Sequence, residues 1–117
     1  MKNDNFYLVH IIDAISKIQD YLIDIDFIEF CENSLVHDAV IRELEIIGEA
    51  TKSISSLLKK EFPIIPWKSI AGMRDKLSHH YFGVDFEATW KTITDDIPTF
   101  LNQIIEIKDK VETRNKF

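Results

Sequence analysis

Residues 74–81 read Arg-Asp-Lys-Leu-Ser-His-His-Tyr and gather a permanent cation, two imidazoles and a phenol within one short stretch. These are groups that phosphoryl-transfer chemistry can use without a metal. A guanidinium holds phosphate bidentately and neutralises charge developing in a transition state, while an imidazole titrates near neutral pH and can move a proton. Arg74, His79 and Tyr81 are therefore the candidate active site. Asp75, four residues before His79, stands where its carboxylate can orient that imidazole. Lys76, His80 and the more distant Arg42 are secondary candidates for phosphate contacts, each with an alternative life as solvated surface. The same stretch can also be read as a helix end before Gly83, whose basic side chains face water and favour the carbonyl end of the helix dipole.

Helical geometry constrains how these residues can cooperate. Five positions at 100° each put Arg74 and His79 about 140° apart around an ideal helix, whereas Arg74 and Tyr81, seven apart, share a face. Either the helix unwinds before Gly83, or Arg and His are combined across two copies of the chain. A symmetric homodimer, in which two polar patches become one cleft, is the preferred expectation.

The metal-binding spacings of helical proteins are missing from the same sequence. The di-iron pattern of helical bundles needs Glu three residues before His, but Tyr7, Ser34, Lys76 and Leu77 occupy those positions before His10, His37, His79 and His80. No two histidines stand four apart, so the helical zinc-protease pattern is missing too. The dipeptide His37-Asp38 reads as helix surface. The three glycines form neither a phosphate-binding loop nor a dinucleotide fingerprint, so no metal and no cofactor is expected.

The elements that must position the stretch follow from apolar spacing. Leu8, Ile12, Ile15, Ile18 and Leu22 make one stripe of a helix from Asn5 to about Asp24, capped by Asp4 or Asn3. Residues 26–33 read as a loop with a short helical turn, with Phe27 and Phe30 plugging the core. Ser34 is a plausible cap for a second helix reaching about Lys60, buried through Val36, Val40, Leu44, Ile47, Ile54 and Leu58. Gly48 falls inside that helix, where glycine costs about 1 kcal/mol against alanine; close packing of another backbone is the expected reason. Arg42, Glu45 and Glu49 should share a polar face with mutual salt bridges. After an extended connection between Pro63 and Pro66, a third helix should run from Trp67 to about His80, with Pro66 as its first residue and Ile70, Met73 and Leu77 inside. A fourth spans Glu87 to Val111 through Trp90, Ile93, Ile97, Leu101 and Ile104, kinked near Asp95 and Asp96 by Pro98, with those two carboxylates recapping the second half. The tail from Glu112 onward should fray. The expected fold is all-α, an antiparallel four-helix bundle with a kinked last helix.

Composition agrees with one domain over residues 1–117: 45% apolar and 29% charged residues, with only three Gly and three Pro. A net charge of -6 argues against coating nucleic acid through the overall field, so any polyanion must be met locally. The single cysteine, Cys31, excludes an intramolecular disulfide and is expected as a small core residue. With no signal-peptide pattern and no apolar run of spanning length, the expected location is the cytoplasm, with no membrane partner.

The motif Arg74-x4-His79-x-Tyr81 resembles the signature of the HEPN superfamily, specifically its HepT-like toxins from nucleotidyltransferase/HEPN toxin-antitoxin pairs. The likeness extends over residues 38–90 through Asp38-Ala39-Val40-Ile41-Arg42, Ile47-Gly48-Glu49-Ala50, Pro66-Trp67, Ala71-Gly72-Met73-Arg74, Tyr81-Phe82-Gly83-Val84-Asp85 and Trp90. The resemblance implies a dimeric all-α bundle that acts as a metal-independent endoribonuclease, with Arg74 and His79 of both copies facing one cleft. It also implies a partner, a minimal nucleotidyltransferase antitoxin that transfers AMP to Tyr81. The other class of function compatible with these residues is a non-catalytic helical module that binds a nucleotide or a protein.

Overall fold

In the computed structural model the described residues are 3–73 and 85–115, and they fold as an all-α bundle with a kinked last helix. Helix α1, Asp4–Tyr21, starts where the Asn3 side chain accepts a hydrogen bond from the Phe6 N–H at 3.1 Å. It buries Leu8, Ile11, Ala14, Ile15 and Ile18, with Ile12 and Leu22 half-buried at the edge of the stripe. Asp24, in left-handed backbone at φ 59°, helps turn the chain, a conformation Asp tolerates better than most residues. The short helix α2, Phe27–Glu32, is capped by Asp26 and drives Phe30 fully into the core, while Phe27 and Cys31 are only half-buried. Cys31 is thus an edge residue, because the single deep slot of this six-residue helix is taken by the larger ring.

Two boundaries of the second long helix differ from expectation. Helix α3, Ser34–Ser53, is capped by Asn33, whose side chain accepts from the Val36 N–H at 3.2 Å; Ser34 is already helical. The helix also stops well before Lys60. Ile54 turns to extended backbone and Ser55 caps a separate helix α4, Ser56–Glu61. The cause is tertiary: Asp4 of α1 accepts hydrogen bonds from both the N–H and the hydroxyl of Ser55, at 2.8 and 2.6 Å. A charge-assisted pair of that kind repays the helical bonds lost at the break. Ile54 and Leu58 still enter the core on either side of it.

Helix α5, Trp67–Ala71, follows Pro66, which stands at the cap position instead of inside the first turn. The Trp67 indole N–H donates to the Phe62 carbonyl at 3.0 Å and its ring meets Phe100 edge-on at 6.4 Å, so the extended connection is pinned to the last helix. The helix expected to run to about His80 ends at Ala71, where Gly72 is the C-cap and its N–H bonds back to the Lys68 carbonyl; Ile70 and Met73 are buried as expected, and Leu77 lies outside the described residues.

The final helical stretch has three parts: α6, Phe86–Lys91; a π-helical turn, Thr92–Asp96; and α7, Ile97–Asn115. The Ile97 N–H reaches the Thr92 carbonyl, five residues back, immediately before Pro98. A proline ring clashes with the carbonyl four residues earlier, and the widened turn relieves that clash without breaking the helix. Asp95 and Asp96 accordingly do not recap a second half. Through Asn115 the C-terminal turn is not frayed either, while Lys116 and Phe117 lie outside the described residues: the Arg114 guanidinium forks onto the Glu61 carboxylate at 3.0 and 2.7 Å, tying the end of α7 to the end of α4. The core runs from α1 through α3 to the π-helical turn, where Ile93 is buried, and to α7, where Ile97, Phe100, Ile104 and Ile107 are buried. No helix among the described residues is long and apolar enough to cross a membrane.

Candidate active site and its two shoulders

Arg74, Asp75, Lys76, His79, His80 and Tyr81 all lie outside the described residues. The structure does define the two shoulders from which residues 74–84 depart and to which they return. On the N-terminal side, α5 lies directly on α3. A Cβ added to Gly48 would stand 3.2 Å from the Ala71 carbonyl oxygen and 3.6 Å from that of Ile70. Backbone on backbone is the reason for a glycine in mid-helix, as its spacing predicted. Met73, one residue before Arg74, is 4% exposed and completes this shoulder.

The C-terminal shoulder is built from side chains. Asp85 caps α6 by accepting from the Ala88 N–H at 3.0 Å, and the fully buried Thr89 donates its hydroxyl to the Asp85 carbonyl at 2.7 Å. Phe86, the first residue of α6, stacks on the His37 imidazole of α3, with ring centroids 4.9 Å apart and planes at 28°. Phe30 meets both rings edge-on at 6.1 Å, and Trp90 leans on Phe30 at 5.4 Å. Here the sequence reading of His37 as surface is corrected. Its ring is half-buried among aromatics from α2 and α6, and its Nδ1 is buried with no hydrogen-bond partner. Nothing local signals this, because Phe30 and Phe86 reach His37 only through the tertiary fold.

Arg42 is the one proposed phosphate ligand among the described residues. It projects from α3 with its side chain 71% exposed, 3.9 Å from the Glu45 carboxylate, so the pair is a loose ion pair. Glu49 pairs instead with Lys52 at 3.3 Å. Arg42 borders a groove of about 430 Å³ between α1 and α3, opposite Phe6, Tyr7 and His10. An exposed guanidinium beside aromatic rings can meet a phosphate or a base, but nothing among the described residues joins it to the shoulders.

The sequence profile described as "Ribonuclease HepT-like" matches residues 11–107. The chain belongs to the HepT-like ribonuclease family. The "Probable ribonuclease HepT" of Thermococcus cleftensis is 44% identical over 102 residues, covering 87% of this chain and 93% of that protein. A Caldanaerobacter subterraneus protein named "Putative RNase" is 40% identical over 110 residues, 94% of this chain and 98% of the relative. A Methanocaldococcus jannaschii protein of the same designation is 38% identical over 98 residues, 84% and 90% of the two chains. No solved structure matches the chain. The HepT-like match spans both shoulders and the whole 74–81 stretch between them.

Proposed function

We propose that this HepT-like chain is a metal-independent endoribonuclease toxin, a single domain acting in the cytoplasm as a homodimer whose Arg74 and His79 share one cleft. The observation that carries this reading is the Arg74-x4-His79-x-Tyr81 motif inside the family match, in a segment whose two ends are anchored to the same helix, α3. The RNA supplies its own nucleophile. His79 removes the 2'-hydroxyl proton, the 2'-oxygen attacks phosphorus, and Arg74 neutralises the charge gathering on the phosphoryl oxygens. The P–O5' bond breaks as the second copy's His79 protonates the leaving 5'-oxygen, leaving a 2',3'-cyclic phosphate. Asp75 orients His79, while Lys76, His80 and Arg42 contact flanking phosphates.

Control falls to Tyr81. A minimal nucleotidyltransferase antitoxin transfers AMP from ATP to its hydroxyl, the phenol oxygen displacing pyrophosphate from the α-phosphorus as it gives up its proton; the added phosphodiester occupies Arg74 as a product mimic and the nucleoside blocks the cleft. The test is RNA cleavage in excess EDTA by the wild type, Arg74→Ala and His79→Ala. Cleavage should persist in EDTA and fall on the order of a hundredfold or more in either variant. Activity that EDTA abolishes, or that both variants retain, overturns the reading.

A further inference from the structure

We infer that His37 is a positioning residue for the active segment, acting through its stack on Phe86; this rests on the ribonuclease reading given above. His37 lies on α3, and Phe86 stands only five residues after Tyr81 and seven after His79. The rings are 4.9 Å apart and 28° from parallel, and Phe30, fully buried, buttresses both edge-on at 6.1 Å. A stack with those contacts fixes the first residue of α6 in distance and tilt, beyond what burial alone would do. The N-terminal shoulder is set on the same helix by Gly48 under Ala71. The span between Ala71 and Phe86 is thereby fixed by α3 at both ends. Moving Phe86 relocates one attachment of the segment that carries His79. Misplacing a reacting group by about 1 Å can cost roughly a hundredfold in rate.

The imidazole does this with its ring. Nδ1 is buried without a hydrogen-bond partner, so that atom adds no directional bond to the contact. Phenylalanine at this position should therefore reproduce the positioning, whereas leucine fills similar space without an aromatic face, and alanine fills neither.

The experiment compares wild type with His37→Phe, His37→Leu and His37→Ala in RNA cleavage, reading kcat and KM separately beside the melting temperature. His37→Phe should hold kcat within about twofold of wild type, and His37→Leu should lose about tenfold or more in kcat with KM little changed, a split expected when positioning and not binding is lost. Hydrogen exchange on the same proteins supplies a readout without activity. His37→Leu should exchange faster than His37→Phe in peptides covering residues 74–91, with the peptides of α1 unchanged. A leucine variant that keeps wild-type kcat, or a folded phenylalanine variant that loses as much as leucine, overturns the inference. If the wild type cuts no RNA, the ribonuclease reading fails by itself and exchange decides: equal rates in the leucine and phenylalanine variants overturn the positioning role. Should His37→Ala not fold, the other two variants still decide it.

Discussion

The two shoulders of residues 74–84 hold the chain by opposite means. At Gly48 the helix offers no side chain, and the carbonyls of Ile70 and Ala71 come to rest on its backbone. At His37 the same helix offers a ring, and Phe86 rests on its face with Phe30 behind. The first contact is tight, since a Cβ would stand 3.2 Å from the Ala71 carbonyl oxygen and that backbone would have to yield a few tenths of an ångström. The second depends on shape and accepts a ring of similar outline. One helix thus sets both ends of the 74–84 segment, one by absence of a side chain and one by its geometry.

The largest effect should come from removing the support of the second shoulder. Phe30→Ala deletes a fully buried ring that touches His37, Phe86 and Trp90, and should cost about 3–5 kcal/mol in urea unfolding. A loss below about 1 kcal/mol would mean the aromatic cluster repacks freely and anchors little.

Next comes the first shoulder. Gly48→Leu forces a branched side chain against the Ala71 carbonyl and should destabilise by about 1–3 kcal/mol, with cleavage reduced further than stability alone explains. Gly48→Ala is the finer probe. Its gain of about 1 kcal/mol in helix propensity opposes a 3.2 Å contact with a carbonyl at the very end of α5, so stability should move little while kcat falls. Equal kcat in wild type and the alanine variant would show that α5 can shift without consequence for the motif.

The smallest effect belongs to a tie outside both shoulders and serves as their control. The Arg114 hydrogen bond holds the Glu61 carboxyl below the usual carboxylate range, against a smaller opposing effect of desolvation. A depressed folded-state value stabilises above the ordinary glutamate range and ceases to do so as the pH falls through the folded value. Arg114→Ala should therefore melt slightly below wild type at neutral pH, converge with it on acidification, and cut RNA at the wild-type rate. A melting gap that widens toward acid pH contradicts the sign, and a loss of cleavage would show that the end of α7 also steers the motif.

Much of this architecture was legible because it rests on local physics. The 3.6-residue period marked most of the buried lines of α1, α3 and α7, although Ile11, Phe100 and Ile107 are buried while the expected Ile12, Leu101 and Val111 are only partly so, and a glycine inside an otherwise good helix announced a close backbone neighbour. Pro98 announced a disturbance of the last helix, although its form, a π turn, depended on how the preceding carbonyls could yield. The cap of α3 fell on Asn33 because adjacent Asn and Ser are both competent, and only the backbone angles choose between them.

Other features had no local signal. The break at Ile54 and Ser55 is made by Asp4, 51 residues earlier than Ser55 in the chain, and the intact C-terminal turn is made by Glu61 on α4. His37 sits beside Asp38 in a pattern that reads as surface, and becomes half-buried only when α2 and α6 bring Phe30 and Phe86 to it. The sequence by itself determined the helices, the family and the chemistry on offer at Arg74, His79 and Tyr81, because periodicity and residue type are properties of neighbours along the chain. Only the tertiary structure decided where helices stop and what holds the ends of residues 74–84, because those contacts join residues that no local spacing relates.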